Sequence, residues 1–436
     1  MKLNRTLHLV FSKARGKKHL AINTGYFFVA SVIGALIQLL MNPFLALKME
    51  HYDYALVGYF ASFSSLLAPL IFFALASYYA RNYFLVGEEQ RESLRNTVTL
   101  MSLSLSLILS IVSLVFLYAY FRLSAVSFPY FPYALISVSG IFFNSVYTMM
   151  VVDLRMSRKA KKFLFVHVSH AACSAILAII LVIIMGLGGA GRMLATSFTA
   201  LVFFVYSTIN MISKWEFKWV YAFGALKFCW PLAAAAMLGY FSSGFDRAML
   251  EKIQDIRSLG LYNIGMQISG YAALFTSALS QTFQPDIYKS IADRNVGKTA
   301  LVVLAILGLG IIPIGLFILF ATPLLHLLTF GRFTAAAGFA RILSLRNLTA
   351  SLYHSVCGVL EGYGLTKTVL FTRAIGSIAV VAMFAFLIKR YGFLGAAWGQ
   401  VFSSIMMTLV ILIYMAIAHK KSIVKNMRVL SKRLGL

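Results

Sequence analysis

Four arginines stand where an arginine is expensive. Arg247, Arg341, Arg346 and Arg373 fall inside long apolar runs or at their edges, and a guanidinium at the centre of a membrane helix costs roughly 2.5–3.5 kcal/mol on insertion scales. In a wet cavity that cost largely disappears, and the planar fork can hold a phosphate or diphosphate bidentately. Arg346 lies near the middle of its run. At about 100° per residue it shares a helix face with Thr349 and Tyr353, whereas Arg341 lies about 140° away with Ser344, Ser351 and Ser355. Either that helix bends so that both reach one anion, or one of them packs or snorkels to the outer interface.

The acidic residues near membrane depth are fewer. Asp246 precedes Arg247, and because neighbours on a helix point about 100° apart the two are not expected to pair simply with each other. Arg247 is then either a substrate contact or a tie to an external loop. Arg373 either snorkels or pairs with Glu361, which ends the run before it. Asp246 and Glu361 are the candidate ion-coupling carboxylates, since a protonatable group at this depth can link transport to a proton gradient. Neutral polar residues form a third group: Ser31, Gln38 and Asn42 at i, i+7 and i+11, then Asn144 with Tyr147, then Asn263, Gln267 and Gln281, and Tyr353 beside Arg346. They either line a path for sugar hydroxyls or tie neighbouring helices together, at about a kcal/mol or less each.

These side chains must be carried by membrane helices. Sixty per cent of the 436 residues are apolar and 12% charged, with a mean hydropathy of +0.84, more apolar surface than a soluble core can use. Twelve runs (21–46, 54–79, 97–120, 129–152, 163–185, 193–212, 228–250, 259–285, 299–321, 335–360, 368–388 and 393–418) reach the roughly 20 residues a helix needs to cross the hydrocarbon. Barrel strands would be half as long and would alternate. The tails and even-numbered gaps hold 27 Lys and Arg, the odd-numbered gaps 8, so both termini are expected in the cytoplasm. The net charge of +26 follows from this orientation and from anionic lipid, and nucleic acid is not needed to explain it.

The tails, 1–20 and 419–436, carry apolar residues at helical spacing among Lys and Arg, the pattern either of basic amphipathic helices at the interface or of disordered basic tails. The first residues show no cleavable-signal pattern, so the first run is expected to direct insertion. Cys173, Cys229 and Cys357 are scattered fillers; His167 and His170 sit three apart on the fifth run and His354 on the tenth, for packing or, less simply, for carrying a proton. No metal, cofactor or recognisable catalytic constellation is expected. The gap 213–227 divides the runs six and six, giving lobes over 21–212 and 228–418; six being even, a repeat would be parallel about the membrane normal.

Several motifs carry a resemblance. Pro43-x-x-Ala46, Asp53-Tyr54-x-x-x-Gly58-Tyr59, Ser243-Gly244-x-Asp246-Arg247-x-x-Leu250, Leu259-Gly260-Leu261-Tyr262, Gly331-Arg332-Phe333 and Tyr391-Gly392-x-x-Gly395-Ala396-Ala397 follow in order along the twelve runs. In this the chain resembles the Wzx-like O-antigen and polysaccharide flippases of the multidrug/oligosaccharidyl-lipid/polysaccharide superfamily. The resemblance implies an all-α inner-membrane protein with two six-helix lobes around a central cavity. It implies a substrate of undecaprenyl-diphosphate-linked oligosaccharide, with a polysaccharide polymerase and a chain-length regulator as further partners. Two rivals remain. A multidrug or cation antiporter of the same superfamily should offer carboxylates where this chain offers arginines, and an O-antigen polymerase or ligase should carry a larger external loop than the thirteen residues of 322–334.

The orientation is open to direct test. Cysteines at His51, Gly188 and Asp255 should be labelled in intact cells by an impermeant thiol reagent, and those at Gln90, Lys159 and Ala292 should not; the reverse pattern would overturn it.

Overall fold

In the computed structural model of the chain, residues 26, 29–30, 32–83, 85–292, 295–362 and 365–418 are described, and among them there is no strand. The helices are α1 Val32–Lys48, α2 His51–Phe72, α3 Leu75–Asn82, α4 Glu88–Ser124, α5 Tyr133–Met156, α6 Ala160–Ile179 with a π-helical turn Ile180–Ile184, α7 Gly188–Met211, α8 Trp219–Met237, α9 Tyr240–Ser243, α10 Phe245–Glu251, α11 Ile256–Ala292, α12 Val296–Thr329, α13 Ala337–Gly362 and α14 Thr366–Ala418. Every expected run carries a helix. Eight described helical stretches are long and apolar enough to cross a membrane. Those that fall short include α11 and α13, the two that carry Asn263, Gln267, Arg341, Arg346 and Asn347. The chain is an all-α polytopic membrane protein.

The chain falls into two compact units. Met1–Leu45, Leu70–Leu117 and Pro132–Trp230 form one; Ala46–Pro69, Tyr118–Phe131 and Pro231–Leu436 form the other. The core of the first gathers Tyr78, Tyr79, Tyr147, Phe163 and Phe203 with Leu94, Met149 and Met150. In the second, Tyr59, Phe60, Phe63, Phe121, Phe128 and Tyr240 make edge-on and stacked contacts with ring centroids 5.1 to 6.2 Å apart. Such pairs add about 0.5–1.5 kcal/mol each beyond their buried area.

The helices are broken where side chains repair them. Between α2 and α3, Phe73 and Ala74 are left-handed (φ 49° and 52°); the Ile71 carbonyl, which has no helical donor beyond the break, accepts from Ser106 Oγ at 2.7 Å. Between α8 and α9, Gly239 N turns to the Ala236 carbonyl, leaving the Ala235 carbonyl to Arg373 Nη1 at 3.1 Å and drawing Ser377 Oγ to Leu238 O at 3.2 Å. In hydrocarbon a freed carbonyl has no water to turn to, so such partners are required.

One break has no such partner to lose. Within α14, Gly392 takes φ 55° and ψ −130°, a region almost closed to residues with a Cβ, although a Cβ there would meet nothing within 4 Å. Gly392→Ala should therefore cost about 1–3 kcal/mol through backbone strain alone, read as a lowered thermal unfolding midpoint in detergent. Gly308→Ala, on α12 with equally open surroundings, should instead hold or raise the midpoint, since Ala is favoured by roughly 0.5–1 kcal/mol inside a helix.

Candidate functional site

The four membrane-depth arginines separate by what they touch. Arg341 is exposed on α13 and donates from Nη2 to Thr322 Oγ1 of α12 at 2.8 Å. Arg373 points inward from α14, donating from Nε to Tyr353 Oη at 3.0 Å and from Nη1 to Ala235 O, with its guanidinium 5.8 Å from the Tyr353 ring centre. It therefore does not snorkel, and Tyr353 serves it as a hydrogen-bond partner; the side chains of Glu361 and Gln281 lie outside the described residues. Arg247 donates from Nη2 to Ser243 O at 2.6 Å and from Nη1 to Gly58 O at 3.3 Å. Arg346 differs. Half-buried at mid-helix, its guanidinium meets the thioether of Met266, with Nη1 3.5 Å from Sδ, a weak acceptor that leaves the fork's capacity for an oxyanion unspent. Around it α13 is fastened by Asn347 Nδ2 to Ser269 O and by Thr349 Oγ1 to Val401 O, at 2.8 and 3.2 Å, so the arginine is presented from a fixed backbone. Arg341 and Arg346 do not converge.

Asp246 is fully buried and accepts from Tyr262 Oη at 2.5 Å. Contrary to expectation it also faces its neighbour: Arg247 Nε lies 3.8 Å from Oδ1, close enough for charge attraction, although neither atom makes a hydrogen bond there. The reason is local. The pair occupies the first turn of α10 directly after Gly244, whose φ of −140° and ψ of −23° are not helical, so Arg247 reaches back toward the Ser243 carbonyl across the face that Asp246 occupies. Tyr262, sixteen residues on, carries no signal in spacing that would have named it as the partner.

The loose sequence motifs converge in the second unit. Arg332 caps the end of α1, its Nη1 donating to the carbonyls of Ala46 and Leu47 at 2.5 and 2.6 Å, where a cation satisfies the orphan carbonyls and the helix dipole together. Gly331, left-handed at φ 77°, turns the chain so that Phe333, 1% exposed, packs edge-on against His51 and Tyr54. Gly260 lies against the His51 backbone, and the Asn263 amide fills the space over Gly58, where Cβ atoms would sit 2.3 and 2.1 Å from their neighbours. Asn263 is thus a close-packed residue whose amide has no hydrogen-bond partner among the described residues.

The first unit holds a cavity of about 390 Å3, lined by Gly34, Ala35, Gln38, Asn144, His167, His170, Ala171, Ser174 and Thr196. Sequence spacing anticipates Gln38 and Asn144 here, but not the two histidines beside them. Asn144 spends an N–H on Gly140 O at 2.9 Å. Tyr147 stands behind the wall, its ring 4.5 Å from His170 and nearly parallel, its hydroxyl 3.5 Å from His167 Nδ1. Asn42 is buried, Gln267 half-buried, and neither borders this cavity. A further carboxylate, Asp153, which sequence position places in a loop, is buried and accepts from Tyr79 Oη at 2.5 Å. No group of three potential metal ligands occurs among the described residues. The two amphipathic tails and Ser31 lie outside them.

Known proteins share this architecture. A lipid II flippase, MurJ, in an inward closed conformation superposes with a TM-score of 0.72 at 16% identity, covering 89% of this chain and 87% of that one. An inward-facing multidrug resistance transporter of the MATE family and MOP superfamily gives 0.70 at 15%, covering 89% and 96%. A MOP superfamily transporter from Pyrococcus furiosus, described as having a binding pocket of reversed polarity, gives 0.61 at 16%, covering 92% and 96%. No curated protein matches the sequence. The family model of the polysaccharide biosynthesis proteins, however, matches residues 82–334, more than half of the chain, and makes this chain a member of that family.

Proposed function

We propose that the chain exports an oligosaccharide carried on undecaprenyl diphosphate, an O-antigen or exopolysaccharide repeat unit, from the cytoplasmic to the periplasmic leaflet of a bacterial inner membrane. The observation that carries this reading is Arg346. Its three fellow arginines donate to protein oxygens, whereas its own hydrogen-bond partner is a thioether, and a guanidinium held at membrane depth with so weak a partner suits an anionic ligand that comes and goes. A diphosphate offers paired oxygens to that fork. The amide-lined cavity of the first unit offers neutral hydrogen-bonding groups of the kind sugar hydroxyls use. The polyprenyl tail stays in lipid, and alternating access exposes the head group on either side. No chemical step is assigned to any residue.

The cation-antiporter reading is weaker on the same residues. Asp246 would be its natural site, but that carboxylate is fully buried, hydrogen-bonded to Tyr262 and faced by Arg247, so its charge is already answered within the protein.

The test is genetic. In a host strain lacking its own copy, Arg346→Ala should abolish surface glycan while the protein remains inserted and abundant, because losing a charge from the membrane interior costs little in folding. Arg346→Lys should retain part of the activity, keeping the charge without the planar fork, and Arg346→Glu should be at least as inactive as Ala. Arg341→Ala, altering an exposed arginine tied to Thr322, should export normally. Lipid-linked glycan should accumulate on the cytoplasmic leaflet in the inactive variants. Normal surface glycan from Arg346→Ala at normal abundance would refute the reading.

A further inference from the structure

We infer that the cavity of the first unit is a proton site, with the imidazoles of His167 and His170 as its carriers. The inference rests on the transport reading above and supplies the coupling that Asp246, buried and already partnered, is badly placed to provide.

His170 is held by carbon and left open at nitrogen. Its ring lies against Tyr147 on one face and meets Phe203 edge-on at 4.9 Å, while its Nε2 is buried with no hydrogen-bond partner among the described residues. A buried polar atom without a partner costs about 1–3 kcal/mol. An aromatic residue serving only to pack would avoid that cost as Phe. The same ring borders a cavity of about 390 Å3 lined by amides, hydroxyls and imidazoles, roomy and polar enough for several waters, and a turn of the ring is what would bring its nitrogen to them. Imidazole nitrogen that reaches such water exchanges protons, and both histidines border the same space.

The surroundings favour a proton over a metal cation. Among the described residues no carboxylate lines the cavity. From α1 the pair is faced by Gly34, whose position would bring a Cβ within 3.3 Å of His167 Nε2, and by Gln38. From α7 it is faced by Thr196 and Phe203. From α5 come Asn144, the Tyr147 hydroxyl and one charged group, Arg155, which acts electrostatically on His167 and sits 5.1 Å over Phe163, itself stacked on His167 at 5.4 Å. A proton taken onto either imidazole from the cavity therefore creates a cation with no carboxylate among the described lining residues to trap it, and it can leave by the same water. His167 lies about 10 Å and His170 about 15 Å along α6 from its start at Ala160, by the rise of 1.5 Å per residue. That depth is within the membrane on the expected cytoplasmic half.

The proton itself is the probe. The purified full-length chain, labelled with 15N at histidine and held in nanodiscs, should show two imidazoles titrating reversibly; His167→Gln and His170→Gln should identify them, each removing one and shifting the other. In cells, His170→Phe preserves the aromatic stack and should nevertheless lose surface glycan at normal abundance, with His167→Gln as a second variant should the first fold poorly. Full export by both variants, or imidazoles at 167 and 170 that stay neutral throughout the acid range in which the protein remains folded, would overturn the proposal. Either result would leave the diphosphate reading untouched, because that reading stands or falls with Arg346.

Discussion

Lipid offers a peptide group nothing to bond to, and that constraint organises this molecule. A helix satisfies itself, but a protein built only of straight helices would have no shaped interior, and where an interruption frees a carbonyl a partner has to meet it. Ser106 serves the α2 break, Arg373 and Ser377 serve the break after α8, and Arg332 serves the end of α1. Two of these repairs use arginine. A guanidinium so employed has an acceptor at hand, which is why its presence at depth says little about substrate.

The sorting of arginines follows from that point. Judged by depth alone, Arg247, Arg341, Arg346 and Arg373 are equivalent candidates. Judged by acceptor, three are engaged with protein oxygens and one is not. The buried carboxylates are likewise engaged: Asp246 with Tyr262 and Asp153 with Tyr79. Among the groups left weakly satisfied in the described residues are the Arg346 guanidinium in the second unit and the His170 imidazole in the first, beside others such as the amides of Asn263 and Gln400.

Much of the fold was legible in advance because its signals are long. Runs of twenty apolar residues and a steady alternation of basic gaps survive any local irregularity, and each run does carry a helix. The site was less legible because its signals are short and assume ideal geometry. Treating residues 246 and 247 as neighbours on a regular helix hid their approach, which Gly244 makes possible. Helical faces placed Arg341 and Arg346 apart correctly, since α13 is one helix there, but could not say that Thr322 awaits the first and Met266 the second. The motif residues were visible one by one; that His51, Gly58, Gly260, Asn263 and Phe333 meet is a property of tertiary structure that no local spacing encodes.

The cap on α1 also bears on how the protein is made. Arg332 follows Ala46 by 286 residues, so during synthesis the last carbonyls of the first helix exist long before the side chain that will bind them. At roughly 5–20 residues per second the interval is about 15–60 s. Throughout it those carbonyls have no guanidinium to turn to, and this end of the first helix gains its cap only after Arg332 has been made. Assembly at this end of the molecule is therefore closed late, from the C-terminal side, by a single residue.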